Sequence, residues 1–265
     1  MRGHRRQRLF ASQSPRDDYP RAMDAKGSMT VHSDVDIVLG PLRLQGILGR
    51  PGEARGIVVF AHGSGSGRRS PRNQFVATVL NEAGFATLLF DLLTAQEEER
   101  ERYTRHLRFD IGLLAERLFA TTLWLKAQPS LKSLPVGYFG ASTGAAAALV
   151  AAAKTGTAAQ PQDIDIRAVV SRGGRPDLAG PALPQVRAPT LLIVGGEDSD
   201  VITLNQMALR ELTTTKAIEI VPGAGHLFEE ADTLGTAASL AAQWFKRYLP
   251  VEGAPMERRR TETPP

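Results

Sequence analysis

A chain of 265 residues with 42% hydrophobic and 23% charged residues has globular composition and enough length for a sizeable core, which excludes wholesale disorder. No apolar run approaches the ~18 residues a membrane-spanning helix needs, and the absence of cysteine excludes disulfides, Cys-ligated zinc and a thiol nucleophile. The net charge of +4 sits in residues 1–28, with 7 Lys/Arg against 3 Asp/Glu, so the neutral remainder gives no support to a nucleic-acid surface.

Residues 1–28 show no lasting apolar period and are expected to be a disordered basic arm. Arg5-Arg6 invites a twin-arginine export reading, but only Leu9, Phe10 and Ala11 follow before polar residues resume. The export signal lacks its apolar segment, and a cytoplasmic protein is expected. Residues 29–249 are expected to form one α/β domain. Residues 31–39 and 42–48 suggest an antiparallel pair turned at Gly40-Pro41. Six continuous apolar runs follow, at 57–61, 86–90, 136–139, 168–170, 191–194 and 217–221. Unbroken runs suit parallel strands covered on both faces. Helical patterns around 72–83, 109–127, 142–154, 204–212 and 234–249 separate most of them. Right-handed crossovers then give a mostly parallel, doubly wound sheet of about eight strands with helices on both faces. In such a sheet chemistry collects outside the carboxyl ends of the strands.

The first such end carries His62-Gly63-Ser64-Gly65-Ser66-Gly67. Acyl transfer needs backbone N–H groups aimed at a developing oxyanion, and Ser64 is the candidate donor here. His62 is expected to brace the loop. The same loop imitates a dinucleotide fingerprint, but its third glycine position is Arg68, and Asp91 is expected to support the sheet end instead. The charged run from Glu97 through Arg108 contains Glu98/Arg102 and Glu101/Arg105 at i,i+4 spacing and reads as a solvated helical face, with a flap over the cleft as the alternative.

Gly140-Ala141-Ser142-Thr143-Gly144 lies between a strand and an Ala-rich helix, which is the setting of a nucleophile elbow. Ser142 is the candidate nucleophile and Thr143 the second oxyanion donor. Two arginines, Arg172 and Arg175, leave the next strand and are candidates for a substrate carboxylate or phosphate, against the alternative of a salt bridge to Asp177. The 191–194 run leads into Glu197-Asp198-Ser199-Asp200, where Asp198 is the candidate orienting acid and Asp200 the reserve. His226 follows the last strand and is the candidate base. The chain order Ser, Asp, His excludes the chymotrypsin-like and subtilisin-like arrangements. The Pro-rich end, residues 250–265, is expected to be a disordered tail.

Together, His62-Gly63-Ser64-Gly65, the Ser142 pentapeptide, Gly195-Gly196-Glu197-Asp198 and Gly223-Ala224-Gly225-His226 resemble the α/β-hydrolase superfamily, specifically its dienelactone-hydrolase-like family, over roughly residues 31–249. The resemblance implies an eight-stranded sheet and hydrolysis of a small-molecule ester or lactone; Arg172 and Arg175 make an anionic substrate an option. It implies no metal or organic cofactor and no membrane partner, and fits a monomer or a homodimer. Namesake enzymes are described with a cysteine nucleophile, so this cysteine-free chain departs from them and their substrate does not carry over. Similar proteins also occur joined to phosphoribosyltransferase domains. Large lids in this family enter after the sixth strand, and residues 171–189 are too few for a helical cap, so an open site is expected and burial of long acyl chains is disfavoured. The alternative from a different class is a noncatalytic module that keeps the fold and binds a small molecule or partner protein.

Overall fold

The computed structural model describes residues 29–155 and 164–249. The basic arm and the tail expected from sequence lie outside the described residues. Eight strands form one sheet in the order β1-β2-β4-β3-β5-β6-β7-β8. They are β1 (Val31–Leu39), β2 (Leu42–Arg50), β3 (Ile57–Ala61), β4 (Ala86–Phe90), β5 (Val136–Ala141), β6 (Ile166–Arg172), β7 (Thr190–Gly195) and β8 (Lys216–Val221). β1 and β2 pair antiparallel, β2 runs antiparallel to β4, and all later neighbours are parallel. The opening hairpin and parallel sheet therefore stand as the apolar pattern predicts.

Strands β3, β4, β5 and β7 are buried at every residue, and β6 at all but Arg167. β8 differs. It is the sheet edge, and only Val221 is buried, because among the described residues no further strand covers its flank.

Among the described residues there are six α-helices: α1 (Pro71–Glu82), α2 (Ala95–Thr104), α3 (Ile111–Lys126), α4 (Thr143–Ala153), α5 (Ser199–Glu211) and α6 (Thr233–Tyr248). α1 and α6 pack one face, where Val76, Leu80, Ala238 and Phe245 meet Val58, Phe60 and Phe139. α3 and α4 pack the other, with Leu118, Ala147 and Leu149 against Val59, Leu88 and Tyr138. α4 is the most deeply enclosed helix, and its alanines let it lie close to the sheet; only Val150 is not fully buried. α5 begins at Ser199, five residues before the predicted stretch, and its first turn already places Val201 in the core.

The charged run is pinned rather than merely solvated. Thr94 and Glu97 close a capping box at the start of α2, and the same Glu97 carboxylate takes a bidentate pair from Arg117 of α3 at 2.6 and 2.7 Å. That guanidinium brings the Glu97 carboxyl down to about 2. Glu101 has no exposed side-chain surface and accepts from the amides of His106, Leu107 and Arg108 and from the Arg108 guanidinium. Burial raises its pKa, but these donors overcome that and hold it at about 2. The ion pairs at these positions are Glu99/Arg102 and Glu101/Arg108 in place of the predicted i,i+4 pairs. At the buried Glu101 the Arg108 guanidinium and backbone amides displace an exposed pair worth about 0.3 kcal/mol, whereas Glu99/Arg102 is an exposed i,i+3 contact.

Between β6 and β7 runs a 3₁₀ segment, Pro176–Gln185, broken at Gly180, whose φ is 47°. It packs on α4 and α5. No helical cap interrupts this link, as its length predicts.

Candidate active site

A sharp turn at the carboxyl edge of the sheet falls at Ser142, between β5 and α4. Its φ of 50° and ψ of −124° lie where a side chain is strained. The turn persists because its neighbours are over-determined. A Cβ on Gly140 would lie 2.4 Å from the Ala145 Cα, and one on Gly144 2.1 Å from the Ala61 carbonyl oxygen. Both separations are impossible, so strand and helix approach this closely only with glycine at each position. The Ser142 amide donates to the Arg172 carbonyl at 3.3 Å, and its carbonyl accepts from Ala145 and Arg175, each at 3.1 Å. The side chain is left facing a cleft of about 230 Å³ that Gly63, Ser64, Arg172 and His226 also line.

His226 enters that cleft from the loop after β8. Its Nδ1 lies 2.6 Å from Asp198 Oδ2. Asp198 occupies the N-cap position of α5, yet its side chain makes no capping bond, so the carboxylate is committed to the imidazole. Asp200, the reserve acid, sits exposed in the first turn of α5. With Nδ1–H donating to Asp198, the lone pair of Nε2 is available for a proton. Glu230 braces the loop by accepting the Gly225 amide at 3.0 Å, and that bond lowers its carboxyl pKa. In the sequence Glu230 carries no mark beyond its position four residues after His226.

The glycine-rich loop after β3 is more occupied than expected. The Ser64 amide donates to Thr143 Oγ1 at 3.0 Å. The Thr143 amide opens α4, among the N–H groups a helix leaves without intrahelical partners. His62 is a brace: Nε2 accepts the Leu92 amide at 3.0 Å, and burial lowers its pKa, keeping the ring neutral. Asp91 takes the Arg68 amide at 2.7 Å and pairs with the Arg68 guanidinium, so the partial dinucleotide fingerprint is an internal contact.

The two arginines after β6 part company. Arg175 forms a bidentate pair with Asp177 at 2.9 and 2.8 Å, the alternative its sequence position offered, and is not among the residues lining the cleft. Gly173, at φ 50°, turns the chain between them. Arg172 lines the cleft and is only 6% exposed. Its guanidinium carbon lies 5.6 Å from the centre of the Phe228 ring, Nη1 makes a long 3.4 Å bond to the Leu227 carbonyl, and Nε has no partner. Burial and the nearby charge of Arg72 push its pKa down to about 10. Ser66, Ser70, Arg72 and Asn73 line the same cleft and were missed, because the sequence shows them only as a loop and a helix start. Among the described residues no group of His, Asp and Glu could hold a metal ion, and no helix is long and apolar enough to cross a membrane.

Residues 44–249 match the model of the dienelactone hydrolase family. A solved dienelactone hydrolase from Anabaena variabilis is 57% identical, with a TM-score of 0.78 over 83% of this chain and 98% of that one. A Mycobacterium tuberculosis protein provisionally named a phosphoribosyl transferase is 56% identical over 229 residues, which are 86% of this chain but 49% of the relative. The chain thus spans about half the length of the curated relatives it matches. Est1E from Butyrivibrio proteoclasticus, 15% identical, shares the fold with a TM-score of 0.65 over 82% of this chain and 98% of its own.

Proposed function

The chain belongs to the dienelactone hydrolase family, and on that premise we propose that it is a serine hydrolase cleaving an ester or lactone of a small molecule through an acyl-enzyme on Ser142. One observation carries the reading: a strained serine shares a cleft with an imidazole whose other nitrogen lies 2.6 Å from a carboxylate. A serine hydroxyl is a weak nucleophile at neutral pH without such a base.

In this mechanism Ser142 Oγ attacks the acyl carbonyl carbon as its proton passes to His226 Nε2. Asp198 holds the imidazole in the required tautomer and stabilises the imidazolium. The amide of Thr143 donates to the oxyanion, and the Ser64 amide joins it by turning from the Thr143 hydroxyl. As the carbon–oxygen bond to the leaving group breaks, Nε2–H protonates the departing oxygen. Water then enters, loses a proton to Nε2 and attacks the acyl carbon, which returns the Ser142 hydroxyl with the proton from Nε2. A cleft of about 230 Å³ suits a short acyl group, below the ~300 Å³ at which pockets for drug-sized ligands begin.

The provisional transferase name of the mycobacterial relatives belongs to chains of which this one covers 49%, and their activity is not carried over. A fluorophosphonate probe tests the hydrolase reading. One label per chain by intact mass, lost in Ser142→Ala, is the expected result. Folded protein that takes no label would favour the noncatalytic binding module instead.

A further inference from the structure

Arg172 poses a problem that the hydrolytic machinery leaves unsolved. A guanidinium is always charged, and burying one without a counter-ion is costly unless something else binds it. Among the described residues no carboxylate lies within ion-pair distance of Arg172. Its stacking on Phe228 and its one long bond to a carbonyl leave Nε with no acceptor at all. The second cation in the cleft, Arg72, is close enough to lower the pKa of Arg172, so two like charges are held together. Arg72 has a partner 2.7 Å away in Glu229, but that carboxylate is 62% exposed and free to exchange with solvent.

The neighbouring side chains on this wall add donors, and Asn73 also brings a buried Oδ1 acceptor that has no partner. Ser70 caps α1, its oxygen facing the Asn73 amide at 3.5 Å, so its hydroxyl proton is available to another acceptor. Ser66 adds a second hydroxyl. The first turn of α1, a helix of 12 residues, faces the cleft through Ser70, Arg72 and Asn73 and brings the positive end of its dipole.

A carboxylate has two coplanar oxygens, and one guanidinium fork satisfies it. This wall instead sets two guanidiniums from different elements, two hydroxyls and a helix N-terminus around one space. Such a set complements a tetrahedral group with three terminal oxygens and a charge of about −1.5 to −2. We propose that Arg172, Arg72 and the α1 N-terminus form a subsite for a phosphomonoester carried by the substrate, placed beside Ser142 so that a short phosphorylated ester is the preferred class. The proposal rests on the hydrolase reading in taking this cleft as the substrate's.

Calorimetric titration of the Ser142→Ala protein with phenyl phosphate, and with benzoate as its carboxylate counterpart, tests the subsite without any turnover. Phenyl phosphate is expected to bind one per chain, about tenfold or more tighter than benzoate. Adding Arg172→Met is expected to weaken phenyl phosphate by about tenfold or more and Arg72→Gln by about threefold. Benzoate binding as tightly as phenyl phosphate, no binding of either, or affinities indifferent to both arginines would each overturn the proposal. Should Arg172→Met fail to fold, Arg172→Lys and the more exposed Arg72→Gln decide by the same criterion. The two readings fail separately. Wild type that binds phenyl phosphate through Arg172 but takes no fluorophosphonate keeps the subsite and loses the hydrolase, and the reverse result removes only the subsite.

Discussion

At the Ser142 elbow the backbone is fixed by close approach, with Gly140 and Gly144 pressed onto Ala145 and Ala61 and no ionisable side chain within the turn. At the opposite wall, His226 hangs from the edge strand β8, 38% exposed, and its loop adds two carboxylates to its backbone bonds: Asp198 on the imidazole and Glu230 on the Gly225 amide. One half of the site is a steric device and the other a polar one. The first tolerates no added atom; the second tolerates change in shape but not in charge or protonation.

The largest expected effect lies on the polar side. On the proposed mechanism, Asp198→Asn leaves the chain folded but presents the imidazole in the wrong tautomer. Turnover of an ester such as 4-nitrophenyl acetate is expected to fall about ten-thousand-fold, with the urea midpoint nearly unchanged. A loss below tenfold would move the acid's role elsewhere.

Gly144→Ala attacks the steric side. Its Cβ would meet the Ala61 carbonyl oxygen at 2.1 Å and the His62 carbonyl oxygen at 2.5 Å, both backbone atoms in the core. Relief requires α4 to leave the sheet, so a loss of about 4 kcal/mol or more is expected in urea denaturation, among the largest that single substitutions give. Gly223→Ala is the matching change beside His226. Nothing lies within 4 Å of its added Cβ, although φ is 70°. Only the left-handed strain remains, about 1 to 2 kcal/mol by the same measurement. Equal losses at the two glycines would contradict the contrast.

These two halves were unequally legible in the sequence. The elbow was readable because its requirement is local: an apolar run, small residues on both sides of Ser142 and an Ala-rich helix are adjacent in the chain. Asp198 and His226 were readable by position, since a parallel sheet gathers the ends of β7 and β8 on one edge. What escaped depends on side-chain direction and on partners distant in sequence. Arg172 and Arg175 are alike in sequence, yet Gly173 at φ 50° separates a cleft residue from one bound to Asp177. Glu97 reads as part of an exposed helix until Arg117, 20 residues on, takes its carboxylate. Nothing in the chain pattern says that Ser64 reaches the hydroxyl of Thr143, 79 residues away.

Acid provides the smallest and most discriminating test of the contrast. The Gly225 amide lowers the Glu230 carboxyl below its ordinary 4.5, so the folded state binds this proton less readily than the unfolded chain does. The stabilisation is therefore fully present above pH 4.5 and is lost as pH falls through the lower folded value. The elbow bond from the Ala145 amide to the Ser142 carbonyl, 3.1 Å long, involves no titrating group. Amide hydrogen exchange between pH 5 and pH 3 is expected to show falling protection at Gly225 while Ala145 stays protected. Glu230→Gln, which cannot gain a proton in this range, is expected to make Gly225 protection independent of pH. If Ala145 lost protection in step with Gly225 in the wild type, the two walls would open as one unit, and the division into a steric and a polar half would not describe how the cleft is held.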